Sequence, residues 1–211
     1  MHLVRIIMFA FTIAAAALAL PSSWGRTKPA TKVEHPQHYY LSASCPQEPW
    51  HNRSIVALPT SQRLGLENFT VAPTTPGLNF RPIELANGYF ALRGDGDNEN
   101  SSGLFLVALK PTNGTQITGM TVLHLPKADS AMIQRDVETC PDDFECVADQ
   151  WTFDAAGDGM VHHNFKFAGS DGDWEPIKDA APEGWHVYWK GGGGVDHPIV
   201  LDLVGADDHG R

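Results

Sequence analysis

The chain has 211 residues, and 25 acidic against 15 basic side chains give a formal net charge of −10 at pH 7. A surface of this sign repels phosphate backbones and anionic lipid head groups, so it argues against nucleic-acid partners and anionic membranes. The length is ample for one domain with its own hydrophobic core.

The N-terminus has the pattern of an export signal. Arg5 precedes an apolar run, Ile6 to Leu20, and Ala17-Leu18-Ala19 offers a small-x-small cleavage pattern. The run is shorter than the roughly 20 residues that a membrane-spanning helix needs. The sequence therefore predicts a cleaved signal peptide, secretion to the extracellular space and no membrane insertion.

Composition divides the chain into three segments. Residues 1–19 form the signal peptide, and residues 20–38 read as a flexible leader, because they carry prolines and scattered positive charge without periodicity. Residues 39–211 are expected to form a single β-rich domain, since short apolar runs alternate there with turn residues.

Two hairpins stand out in the chain order. In the first, the strands Leu78 to Leu85 and Tyr89 to Arg93 are joined by a turn at Asn87-Gly88. In the second, the apolar strand Leu104 to Leu109 is joined to the strand Gln116 to Leu125 by a turn at Asn113-Gly114. An unbroken apolar run predicts a strand that is buried on both faces. Further strands are expected over Tyr39–Ser44, Ser54–Leu58, Asn68–Ala72, Trp151–Ala155, Met160–Phe167, Trp185–Trp189 and Ile199–Leu203.

These short strands predict an all-β fold, an antiparallel β-sandwich or jelly-roll-like architecture with at most one short helix, from Ala128 to Val137. Strand alternation places Trp151, Trp185 and Trp189 on core-facing sides. The same alternation puts His163 on the core face of its strand and His162 on the opposite face.

The cysteines predict one disulfide. Cys140 and Cys146 bracket a short acidic loop, and closing so short a loop stabilises a protein by about 2 kcal/mol. Cys45 is left as a free thiol, as a partner of either other cysteine, or as a bridge to a second chain. No zinc-ligand spacing is present.

Asparagine sequons favour a glycoprotein. The pattern Asn-x-Ser/Thr occurs at four positions, so glycosylation is expected at Asn52, Asn68, Asn100 and Asn113.

Two loops carry alternating carboxylates, Asp95–Glu99 and Asp171–Glu175. Such oxygens are suitable ligands for calcium, but neither loop has the glycine and the closing glutamate of the helical calcium loop. Solvated turns are the favoured interpretation. We expect no cofactor and no metal site, with calcium as the one ion to consider.

A ligand site is expected in the last third of the domain. Trp174 appears there in a polar segment, and an indole ring beside carboxylates is typical of sugar-binding faces. The predicted ligand-binding residues are Trp174, Asp171, Asp173, Glu175, His162 and His186. An extracellular glycan or a surface protein is the expected partner.

Catalytic motifs are lacking. The sequence contains neither Gly-x-Ser-x-Gly nor His-Glu-x-x-His. The leading hypothesis is therefore a secreted, N-glycosylated, non-catalytic protein that binds carbohydrate or a cell-surface component. The alternatives are a small secreted hydrolase or metal-assisted lyase that uses acids and histidines of the last third, and a secreted protein-interaction factor.

Overall fold

A computed structural model describes residues 36–58, 61, 63–67, 75, 77–94, 103–125, 140–157, 159–180 and 184–206. They belong to one compact unit, Val33–Arg211. Within these ranges no helix is long and apolar enough to cross a membrane. The described residues form thirteen strands: β1 Tyr39–Ser44, β2 Val56–Ala57, β3 Leu64–Glu67, β4 Asn79–Glu84, β5 Phe90–Gly94, β6 Gly103–Pro111, β7 Ile117–Leu125, β8 Phe144–Val147, β9 Trp151–Ala155, β10 Val161–Phe167, β11 Gly172–Ala180, β12 Gly184–Gly191 and β13 Val200–Gly205.

Six of the strands close into a ring. They pair in the order β5, β4, β1, β13, β10 and β9, and the pair Phe90 and Trp151 joins β9 back to β5. From β5 the sheet continues through β6, β7, β12 and β3 to β2, while β11 pairs with β12 and β8 with β6. The pairs are antiparallel. The all-β antiparallel class predicted from the sequence is confirmed.

The β6–β7 hairpin forms as predicted. Its register runs without a shift from Gly103↔Leu125 to Leu109↔Gly119, and the turn places Gly114 at φ +82°, where a side chain would be strained. Leu106 packs in the main core, whereas its neighbour Phe105 packs in a second cluster on the other face. The strand is therefore buried on both faces.

Aromatic rings fill the centre of the main core. Trp151 packs against Phe165 with 5.0 Å between ring centroids, and Trp174 meets Trp189 edge-on at 5.1 Å. Burial of an indole requires a partner for its N–H. Trp151 Nε1 donates to the carbonyl of Leu106 at 3.2 Å, which satisfies this need. Core placement of Trp151 and Trp189 is confirmed, and Trp185 lies half-buried at the margin of the same cluster.

The predicted disulfide between Cys140 and Cys146 is present. Cys45 is a free, half-buried thiol. Several predictions lie outside the described residues: the signal peptide, the leader up to residue 35, the strand Asn68–Ala72, the loop Asp95–Glu99, the sequons at Asn68 and Asn100 and the helix Ala128–Val137.

Candidate functional site

Trp174 is not in a polar loop, contrary to the sequence-based prediction. It lies on β11, its side chain is 2 % exposed, and Nε1 donates to the carbonyl of Phe165 at 2.6 Å. The Phe165 ring stacks on the indole at 6.0 Å between centroids. A ring covered in this way has no free face for a sugar, so Trp174 is a core residue.

Glu175 is buried beside Trp174, and its carboxylate binds a lysine side chain and two backbone N–H groups. One carboxylate oxygen lies 2.5 Å from Nζ of Lys190, and the other accepts the N–H groups of Asp196 and His197 at 3.0 and 3.2 Å. Burial alone would raise the pKa of Glu175, but the Lys190 ammonium and the two N–H donors together bring that pKa below its usual value. Glu175 thus fastens the loop after β12.

The three carboxylates of the acidic segment Asp171–Glu175 have different surroundings. Asp171 and Asp173 are exposed, whereas Glu175 points into the protein and pairs with Lys190. Among the residues that the structure describes, no group of three or more His, Cys, Asp or Glu side chains is placed to hold a metal ion. The three carboxylates of Asp171–Glu175 therefore do not form such a group.

The two neighbouring histidines take faces opposite to those predicted. His162 contacts the rings of Tyr39 and Phe153 at 5.0 and 4.9 Å between centroids. The side chain of His163 is 58 % exposed and pairs with Asp202 at 3.3 Å. The prediction of a core-facing His163 is wrong because the ladder to β9 shifts register after it, and Asn164 adopts φ +56° there.

His186 is the one predicted residue that enters a chemically suggestive cluster. Its Nε2 lies 2.7 Å from Oγ of Ser61, and its Nδ1 lies 2.7 Å from Oδ1 of Asp179. A serine hydroxyl, an imidazole and a carboxylate joined in this order form the arrangement of nucleophile, base and orienting acid that serves acyl transfer. We call Ser61, His186 and Asp179 the triad.

The hydrogen-bond partners fix the direction of each proton in the triad. A carboxylate only accepts hydrogen bonds, so Nδ1 of His186 carries the proton that faces Asp179. In the neutral imidazole, Nε2 then has a free lone pair and accepts from the Ser61 hydroxyl. This is the tautomer that can take a proton from a serine.

The three residues of the triad differ in solvent exposure. Ser61 lies at the surface, the side chain of His186 is 8 % exposed, and that of Asp179 is 41 % exposed. Ser61 is thus exposed to solvent, while the imidazole that it contacts is shielded from water. The backbone N–H of Arg63 also donates to Ser61 Oγ at 3.3 Å, which places a hydrogen-bond donor beside the reacting atom.

Two further side chains surround the triad. The hydroxyl of Tyr188 donates to Oδ2 of Asp179 at 2.7 Å, and Nη1 of Arg63 donates to the Tyr188 oxygen at 3.4 Å. Burial, and then the hydrogen bond to Asp179, raise the pKa of Tyr188 to about 12, although Arg63 acts in the opposite direction. The phenol therefore remains a donor at neutral pH.

Strand pairing brings these residues together. His186 and Tyr188 lie on β12 two residues apart, and β11 beside it carries Asp179 next to a register shift between Ile177 and Ala180. On its other edge, β12 pairs His186 with Gly65 of β3. Ser61 precedes β3, so the close contact of β3 with β12 carries the serine to the imidazole.

Sequence reasoning missed Ser61 and Asp179. Ser61 has no glycine-flanked nucleophile motif, and Asp179 follows the segment Asp171–Glu175, whose sequence predicts a solvated turn. Their relationship to His186 depends on which strands pair. The acid, the histidine and the serine are therefore recognisable only from the fold.

Comparison of the chain with protein-family models, with curated proteins and with solved structures gives no match.

Proposed function

We propose that the protein is a serine-type hydrolase that cleaves carboxylic esters. The observation that carries the proposal is the pair of 2.7 Å contacts from His186, one to the Ser61 hydroxyl and one to the Asp179 carboxylate. In the reaction, Ser61 Oγ attacks the ester carbonyl carbon while its proton passes to Nε2 of His186.

The remaining steps use the same groups. The tetrahedral intermediate collapses by breaking the bond to the alcohol oxygen, and the alcohol leaves with the proton from His186. Water then gives a proton to His186 and attacks the acyl-Ser61 ester, which releases the acid and restores the serine. Asp179 stabilises the imidazolium that forms in each half of the cycle.

Esters are favoured over amides by the exposure of the acid. The side chain of Asp179 is 41 % exposed, and a solvated carboxylate holds an imidazolium less strongly than a buried one. An alcohol is a better leaving group than an amine, so an ester needs less assistance from the base.

The setting that we propose is extracellular. It is supported by the disulfide and by the exposure of Asn52 and Asn113 in the described turns.

Covalent labelling tests the proposal. The purified protein is treated with a fluorophosphonate probe, the modified peptide is mapped, and hydrolysis of p-nitrophenyl acetate and butyrate is followed in parallel. We expect the label on Ser61, with both label and hydrolysis lost in Ser61→Ala and His186→Gln. His163→Gln is the matched control, because His163 also pairs with an aspartate, Asp202.

Equal hydrolysis by Ser61→Ala and the native protein contradicts the proposal, as does a folded native protein that neither reacts with the probe nor cleaves the esters. The first result assigns the hydrolysis to residues other than Ser61. The second favours the non-catalytic hypothesis, binding of a glycan or a surface component.

A further inference from the structure

We propose that Tyr188 and Arg63 are positioning residues, which hold the Asp179 carboxylate so that one of its oxygens stays on Nδ1 of His186. This inference rests on the proposed hydrolase function and names residues outside the triad on which its rate depends. Neither Tyr188 nor Arg63 touches the reacting atoms through its side chain in the contacts described above.

The geometry divides the carboxylate between two donors. Oδ1 of Asp179 accepts from His186 and Oδ2 accepts from Tyr188, each at 2.7 Å. His186 and Tyr188 are two residues apart on β12 and therefore project from the same face. Their ring centroids lie 6.0 Å apart in an edge-on arrangement. At this spacing the single carboxylate of Asp179 reaches both side chains.

Asp179 needs such a second anchor. Its side chain is 41 % exposed, and it lies near the end of β11, where the pairing with β12 changes register. A half-exposed carboxylate that is held by a single hydrogen bond is free to rotate towards water. The Tyr188 hydroxyl restrains the rotation, because a bond to each oxygen fixes the plane of the carboxylate.

Arg63 anchors Tyr188 in turn. Its guanidinium donates to the tyrosine oxygen at 3.4 Å and lies over the ring of Phe144, 5.4 Å from the centroid. Phe144 lies inside the loop that the Cys140–Cys146 disulfide closes, and its carbonyl oxygen is 3.2 Å from Cys140 Sγ. The contacts therefore connect the disulfide-closed loop, through Phe144, Arg63 and Tyr188, to the Asp179 carboxylate.

Tyr188→Phe tests the proposal, with Tyr39→Phe as its matched control. Tyr39 is also a buried tyrosine whose hydroxyl donates one hydrogen bond, in this case to the carbonyl of Gly159 at 2.9 Å. We expect Tyr188→Phe to lower kcat by about tenfold with KM unchanged, since a hydrogen bond to a charged group is lost. Tyr39→Phe should keep the native kcat.

Arg63→Gln keeps its backbone N–H on Ser61 and is expected to lower kcat about threefold, because the side chain acts only through Tyr188. Equal kcat values for Tyr188→Phe and Tyr39→Phe overturn the proposal.

A second measurement does not depend on hydrolysis. In protein labelled with ¹⁵N-histidine, the His186 Nδ1 proton is assigned by its disappearance in His186→Gln, and its exchange with water is compared among variants. We expect faster exchange in Tyr188→Phe than in Tyr39→Phe or the native protein. Unchanged exchange overturns the positioning role. A native protein that fails to hydrolyse esters but shows this difference refutes the proposed reaction alone.

Discussion

Ser61 Oγ and His186 Nε2 lie 2.7 Å apart although 125 residues separate them in the chain. The contact exists because β12 pairs antiparallel with β3 and sets His186 opposite Gly65. The turn before β3 then reaches the outer face of β12, where the imidazole projects. The pairing of β3 with β12 therefore forms the candidate site. A change that separates these two strands should disrupt the contact between Ser61 and His186.

Gly65→Ala should separate the strands. A Cβ at residue 65 would overlap the carbonyl oxygen of Trp185 and lie 3.0 Å from Cα of His186, both of which are backbone atoms that cannot turn aside. We expect a loss of about 3 kcal/mol or more in the free energy of unfolding, measured by urea denaturation. Label incorporation at Ser61 should fall with it.

Gly157→Ala is the control for this change, since a Cβ there meets nothing within 4 Å. Its unfolding free energy should stay within about 0.5 kcal/mol of the native value. Native stability in Gly65→Ala would show that β3 and β12 are not so closely packed.

Asp179→Asn should lower kcat by roughly a thousandfold with little change in KM. The amide offers an N–H where Nδ1–H of His186 needs an acceptor, so the imidazole turns to the tautomer that cannot accept from Ser61. Steady-state hydrolysis of p-nitrophenyl butyrate measures the effect. Asp202→Asn is the control, because Asp202 pairs with His163 and not with the triad. A reduction below tenfold would exclude Asp179 as the orienting acid.

The sequence predicted those hairpins and strands that depend on short-range patterns, such as apolar runs and Asn-Gly turns. The β6–β7 hairpin follows from an apolar run and an Asn-Gly turn, and the apolar segment Ile199–Leu203 predicts a strand where the structure has β13. β11 was not predicted, because the Asp171-Gly172-Asp173 sequence at which it begins, and Pro176 within it, are typical of a turn. The positive φ of Asn164 reversed the face of His163, since one irregular residue inverts the alternation.

The candidate site was predicted only at His186. Its partners lie on other strands, and a serine or an aspartate in isolation carries no signal of the strand to which it will be paired. Trp174 was wrongly predicted to face a ligand, because its neighbours in the sequence are polar while its neighbours in space are Phe165 and Trp189.

Trp174→Ala should destabilise the protein by about 3–5 kcal/mol, as expected when a large buried aromatic side chain leaves a cavity. Thermal and urea unfolding measure the change. Trp185→Ala provides the comparison, since Trp185 is half-buried at the core margin beside Trp50, and should cost about 1–2 kcal/mol. If Trp174→Ala keeps native stability and loses glycan binding instead, Trp174 is a ligand-facing residue after all.

Glu175→Gln should remove part of the dependence of stability on pH. The pKa of Glu175 in the folded protein is below its ordinary value of 4.5, since the ammonium of Lys190 and two backbone N–H donors outweigh the effect of burial. A group with a lowered pKa stabilises the fold at pH values above 4.5, and the contribution disappears as the pH falls through the lower, folded-state pKa. At pH 7 the variant should therefore be less stable by about 2 kcal/mol.

The difference between native protein and Glu175→Gln should then shrink on acidification, because protonated Glu175 and glutamine are both neutral. Urea denaturation at pH 7, 5 and about 3 measures it. Glu145→Gln is the matched control: Glu145 pairs with Lys110 at 3.2 Å, but the two side chains are 48 % and 50 % exposed, so its loss should change stability by under about 1 kcal/mol. A deficit of Glu175→Gln that grows as the pH falls would mean that the folded-state pKa of Glu175 is raised, and that burial outweighs Lys190.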